Sequence, residues 1–265
     1  MSEDFILAGK DMISHRNYQH FMCDHVCLLG TYLLKNLECK IIIPNRIDRE
    51  RGIYFYNSIL KDILKILGLE DRVIITEDVN LYNKNPIGTG AWTWSIEKQI
   101  FFNTIRNKLP MFYSGPKNIY IVRDWGNKKG EIGGHNKMIR GIINSTEVES
   151  FLKENNYFIV DLSDKTFSEK KSILQNAESV ITQTSASCVN LFLCENVKKI
   201  ILLTNDVFIM GKYFLPYVQH CENVKIHELP FKSHEKEKYT SNRGEELGID
   251  NANFYVDLNI LNRYI

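Results

Sequence analysis

The 265-residue sequence contains no run near the roughly 20 apolar residues that an α-helix needs to cross a bilayer, so no transmembrane segment is predicted. Its opening stretch, MSEDFILAGKDM, has acids where a secretory leader carries lysines, and its apolar run is short. The expectation is a soluble, cytoplasmic chain. A net charge of only +1 supplies no general field for nucleic acid or an anionic membrane, so any anion site must be local. The six cysteines, at 23, 27, 39, 188, 194 and 221, never fall at C-x-x-C spacing; they are expected as reduced, buried thiols rather than zinc ligands. Also missing are a G-x-G-x-x-G after a first strand, a Walker loop, an H-E-x-x-H helix and a G-x-S-x-G elbow. A nicotinamide cofactor is therefore not expected, and no metal site is read.

What is present is alternation. Short apolar runs that read as strands, DFILA (4–8), CKIIIP (39–44) and RVIIT (72–76), are separated by amphipathic stretches. Residues 17–36 are predicted helical because Met22, Val26, Leu29 and Leu33 recur at helical spacing. Residues 48–67 form a second predicted helix, with Ile59, Ile63 and Ile66 on one face and Gly68 past its end. A third spans 95–109 and stops at Pro110. Pro110, Gly115 and Pro116 read as a hinge. Beyond it come strands 118–123, 157–162, 179–183, 198–204 and, as the last, 224–229. Helices are predicted at 145–156 with Ser145 as cap, at 167–177 and at 186–194; residues 231–251 read as a polar loop. This alternation predicts an α/β protein with parallel sheets and two Rossmann-like halves. The boundaries are 1–114, 115–250 and a closing segment 251–265 that returns toward the N-terminal half.

Three places carry candidate chemistry. In NYQHFMCDH, His20 and Asp24 lie four apart, on one helix face at the margin of the apolar stripe. A carboxylate there can take a proton from a hydroxyl, with the imidazole orienting it. The alternative is a surface ion pair with His25 in water. Next, Arg123 ends the strand IYIVR, and Arg140 lies beyond a glycine- and lysine-rich stretch. Two guanidinium forks near strand ends suit a diphosphate, although an exposed basic loop explains the composition too. Last, the buried strand SVITQ opens into TSAS and a helix, so Thr184, Ser185 and Ser187 stand near a helix N-terminus. That place binds anions through free N–H groups, and simple N-capping accounts for the serines equally well. The aromatic run GAWTWS (90–95) reads as packing rather than a sugar platform.

In order along the chain, these motifs resemble the family 61 glycosyltransferases, the group that includes the extracellular O-GlcNAc transferase and plant xylosyl- and arabinosyltransferases. Asn17, His20 and Asp24 match an N-x-x-H-x-x-x-D pattern, IYIVR matches a strand ending in arginine, and RGIIN matches an R-x-x-x-N segment at Arg140 and Asn144. Asn190, Phe192 and the tail NFYVDLNIL continue the series, which covers most of residues 15–205 plus the tail. The family's H-G-A-G-like turn is here Thr184-Ser185-Ala186-Ser187, and the acid after the asparagine is Ser145.

The resemblance implies a GT-B-like architecture, two Rossmann-like domains facing a central cleft. It implies an inverting, metal-independent transferase, with Asp24 as base, His20 beside it, and Arg123, Arg140, Asn144, Thr184, Ser185 and Ser187 on the donor. The implied donor is a UDP-sugar, xylose or N-acetylglucosamine, with no separate cofactor; the implied acceptor is a glycan or glycoprotein, and nucleic acid is not an expected partner. The altered turn keeps open a catalytically inactive nucleotide-sugar- or glycan-binding module. Another nucleotide-sugar-using Rossmann enzyme is the third reading.

Overall fold

A computed structural model of the protein describes residues 5–7, 18–44, 59–76, 94–123, 141–233, 239–240, 246–247 and 253–265. The chain divides into two compact units. The first comprises Met1–Met111 with Thr166–Lys171, the second Phe112–Lys165 with Ser172–Ile265.

The first unit is built on a parallel sheet of three strands, β1 (Phe5–Ile6), β2 (Ile41–Pro44) and β3 (Val73–Thr76), in that order. Helix Lys61–Leu67 buries Ile63, Leu64 and Leu67. It ends where predicted, with Gly68 at φ 70°. The Leu69 and Gly68 amides donate back to Leu64 and Lys65, a closure that favours a residue without Cβ.

Helix Ile96–Lys108 starts at Ser95, whose hydroxyl accepts from the Lys98 amide, and buries Phe101, Phe102 and Ile105. Its C-terminal carbonyls are met by Lys171, a fully buried residue whose ammonium donates to Arg106 O at 2.8 Å and Leu109 O at 3.3 Å. A cation there complements the negative end of the helix dipole. Trp94 stacks on Phe102, which supports the packing reading of the aromatic run at its one described ring.

The predicted 17–36 helix is not uniform. Tyr18–His20 is an α-turn, Phe21–His25 a π-turn, Val26–Leu28 a 3-10 turn and Leu29–Leu34 α-helix again. Every residue from 21 to 30 is buried, so packing on all sides sets the winding, and a single apolar stripe could not reveal it. Gly30 is part of that packing: a Cβ on it would lie 1.9 Å from the carbonyl oxygen of Glu97.

The second unit is a five-stranded parallel sheet of β4 (Asn118–Ile121), β5 (Phe158–Val160), β6 (Ser179–Gln183), β7 (Lys199–Asn205) and β8 (Lys225–Phe231), ordered β5-β4-β6-β7-β8. Every residue of β6 is buried, as a central parallel strand requires. Helix Ser145–Glu154 covers one face through Val148 and Leu152 and ends with Asn156 in the left-handed region, φ 62°. Its N-cap is Asn144 rather than the expected Ser145. The 167–177 prediction shortens to helix Phe167–Leu174, and 186–194 is a 3-10 helix, Ala186–Leu193.

Two further readings change. Within the predicted polar loop, Tyr239–Thr240 (β9) pairs antiparallel with Glu246–Leu247 (β10), so β8 is not the last strand. The closing segment buries Phe254, Val256 and Leu261 in the core of the second unit, against Ile181, Ile201, Val148 and Leu152.

Candidate active site

In the first unit, His20 Nδ1 meets Asp24 Oδ2 at 2.7 Å. The 20/24 spacing brings them together as predicted, but not as a surface pair. Asp24 is 7% exposed and His25 2%, the latter beside Phe21 rather than in water. The π-turn is the local reason: it sets Asp24 within the buried run 21–30 while leaving His20 half-buried. The other carboxylate oxygen, Asp24 Oδ1, is buried and has no hydrogen-bond partner among the described residues. Such an oxygen is costly unless something else comes to it.

In the second unit, the sheet order decides where a ligand can sit. The chain reverses direction across the sheet between β4 and β6, and ligands of open α/β sheets bind beyond the strand ends at that point. Ile121 of β4 pairs with Thr182 of β6, so Arg123 follows one strand end and Thr184 the other. Arg123 is half-buried. Its charge reaches the first turn of the Ala186–Leu193 helix: it pulls the Cys188 thiol down, although burial dominates and pushes that thiol up to about 12.

The turn itself is tightly bonded. Ser185, in extended conformation, caps the helix by accepting from the Ser187 amide, and the two hydroxyls lie 2.6 Å apart. Asn190 Nδ2 donates to Ser187 O at 3.0 Å. The N-capping alternative is therefore realised at Ser185. Thr184 differs: it is 1% exposed, and its Oγ1 has no partner among the described residues.

Asn144 is 7% exposed and makes a paired contact with Val256. Its Nδ2 donates to Val256 O and its Oδ1 accepts from Val256 N, both at 3.0 Å. Nδ2 also reaches Glu147 Oε2 at 3.3 Å. Both ends of the amide thus hold the closing segment. Arg140 and Asn17 lie outside the described residues. Among the described residues, no group of three or more His, Cys, Asp or Glu could hold a metal ion, and no helix is long and apolar enough to cross a membrane.

One residue escaped the sequence reading. Gln183 ends β6, is 4% exposed, and its Nε2 has no hydrogen-bond partner among the described residues. The only signal was an amide closing an otherwise buried strand beside the turn.

A comparison with curated proteins gives no significant match. The family model described as glycosyltransferase 61 matches residues 18–201, a run holding His20, Asp24, Arg123, Asn144 and the 184–187 turn. With more than half of the sequence matched and parallel α/β sheets in both units, the chain belongs to glycosyltransferase family 61 and is a glycosyltransferase.

Proposed function

We propose that the protein is an inverting, metal-independent glycosyltransferase of GT-B type, moving xylose or N-acetylglucosamine from UDP to a hydroxyl of a glycan or glycoprotein. Asp24 is the general base. It takes the proton of the acceptor hydroxyl as that oxygen bonds to the anomeric carbon and the bond from that carbon to the UDP oxygen breaks. One in-line displacement inverts the carbon and releases UDP. His20 orients the carboxylate through Oδ2 and leaves Oδ1 for the substrate.

Arg123 and Arg140, with Thr184, Ser185 and Ser187, bind the diphosphate. They stabilise the charge that grows on it as it leaves, which is where electrostatic catalysis acts. Asn144 serves the donor side by anchoring Val256.

The observation that carries the mechanism is the buried Asp24 carboxylate with one oxygen bonded to His20 and the other unpartnered among the described residues. The test is Asp24→Asn. Transfer from a UDP-sugar should fall by about 100-fold or more, as for loss of a general base, while UDP affinity stays at the wild-type value. Normal turnover by Asp24→Asn removes it as the base.

Arg123→Ala should weaken UDP roughly tenfold or more, the scale of a hydrogen bond to a charged group. The Thr184–Ser187 turn, lacking the family's histidine and glycines, favours one second reading, an inactive nucleotide-sugar-binding module. UDP-sugar binding without hydrolysis or transfer to any acceptor would establish that reading instead.

A further inference from the structure

A parallel strand sends alternate side chains to opposite faces of its sheet. In β4 and β6, Tyr120 and Ile181 belong to the core cluster that also holds Ile201, Leu203, Val148 and Val256, and Val122 packs against it. Gln183 comes two residues after Ile181 and pairs with Leu203 of that cluster, so it stands at the top of this face. Thr184 follows on the opposite face. Arg123 lies past the end of β4, near enough for its charge to act on Cys188 in the helix that follows Thr184.

Two successive residues at the carboxyl end of the central strand thus carry side-chain donors on opposite faces. Both are more than nine-tenths buried, and neither Gln183 Nε2 nor Thr184 Oγ1 has a hydrogen-bond partner among the described residues. A native interior rarely leaves one such group unpaired, and two side by side offer donors to a ligand. Between them runs the end of β6, at the point where the sheet order reverses. One acceptor-rich group lying across that strand end would meet both donors. Arg123, whose charge acts on Cys188 in the first turn of the next helix, makes the neighbourhood favourable to negative charge.

We propose that Gln183 is a donor-site residue whose side-chain amide donates to the diphosphate of the nucleotide-sugar, straddling the end of β6 together with Thr184. This rests on the nucleotide-sugar reading above and adds to it a contact that neither the motif pattern nor the cationic residues supply. It also explains why a polar amide is kept at the end of a strand whose other residues are all buried. In the free protein that amide is a cost to stability, recovered when the ligand arrives.

The experiment is calorimetric titration of the full chain, wild type, Gln183→Leu and Gln183→Glu, with UDP and with inorganic pyrophosphate. Melting temperatures are measured without ligand. Gln183→Leu should weaken both ligands by a similar factor of about ten, the value of a hydrogen bond to a charged group. Gln183→Glu should weaken both further, because a carboxylate then faces phosphate. The ligand-free Gln183→Leu protein should melt at or above the wild-type temperature, since a buried amide nitrogen with no partner among the described residues has been removed.

A Gln183→Leu variant that binds UDP as wild type does overturns the inference and leaves the donor reading intact. Weakened UDP with unchanged pyrophosphate puts the amide on the nucleoside and overturns the diphosphate assignment. A lowered ligand-free melting temperature makes Gln183 a structural residue and also overturns it. Wild-type protein that binds neither UDP nor pyrophosphate defeats the donor reading, and the inference falls with it.

Discussion

Replacing Asn144 by alanine tests whether this residue acts on the donor directly or by holding the chain. The amide makes two 3.0 Å bonds to the backbone of Val256, a residue with no exposed surface. Truncation leaves the Val256 N–H and C=O buried without those partners, and each such group costs about 1–3 kcal/mol. No helix-capping contribution is added, because the Asn144 side chain makes no cap bond to the helix it precedes. The sum is about 3 kcal/mol, toward the lower part of the combined range. With a urea dependence of about 2 kcal/mol/M, the unfolding midpoint should drop by roughly 1.5 M. The assay is urea denaturation followed by far-UV circular dichroism, alongside UDP titration of the folded variant. Asn144→Asp should recover part of the loss, since its carboxylate still accepts from the Val256 amide but faces the Val256 carbonyl. An Asn144→Ala midpoint within about 0.3 M of wild type would refute this role for the Val256 bonds, since that shift is only about 0.6 kcal/mol. If UDP affinity then collapsed as well, Asn144 would be a direct donor contact.

The remaining predictions concern elements beneath the site. Gly30→Ala places a methyl 1.9 Å from the Glu97 carbonyl and should destabilise the first unit by about 3 kcal/mol, read as a lowered thermal midpoint. A variant as stable as wild type would mean that the two helices separate freely there. Lys171→Met removes the donor to the Arg106 and Leu109 carbonyls and should cost about 2 kcal/mol in chemical denaturation. Lys171→Arg, which keeps the charge, should lose less. Glu178 is paired with Lys198 and Lys117, which pull its carboxyl to about 2. A depressed folded-state value means that this stabilisation is present above the unfolded value near 4.5 and lost as pH falls toward 2. The stability gap between wild type and Glu178→Gln should therefore close over that window. Because the pair is exposed, the gap should be small and should shrink in high salt; a gap constant with pH would count against the ion pairs.

Much of the fold was legible because burial leaves a periodic trace. The uninterrupted apolar run IILL of β7 announced a buried strand, and Gly68 announced its helix end. The four-residue spacing of His20 and Asp24 set both on one side of a helical turn, where their side chains meet. Other features left no local trace. The π-turn at 21–25 lies in a run buried on every side, so no stripe distinguishes it from α-helix. The β9–β10 pairing uses two-residue segments, too short to show a strand's alternation within a polar stretch. Only the family resemblance assigns Asn144 to the donor; its partner, Val256, is more than a hundred residues away and leaves no mark on the surrounding stretch.

The amino-acid sequence by itself determined the alternation of strands and helices, the parallel sheets that follow from it, and the family, through an ordered series of short motifs. Those are local or sequential properties, carried by neighbours along the chain. Only the tertiary structure decided that Asp24 is buried with one oxygen unpartnered among the described residues, that Asn144 anchors the closing segment, and that Gln183 and Thr184 bring buried donors to the end of the central strand. Burial and hydrogen-bond satisfaction depend on which distant segments pack together, and no single stretch of sequence contains that information.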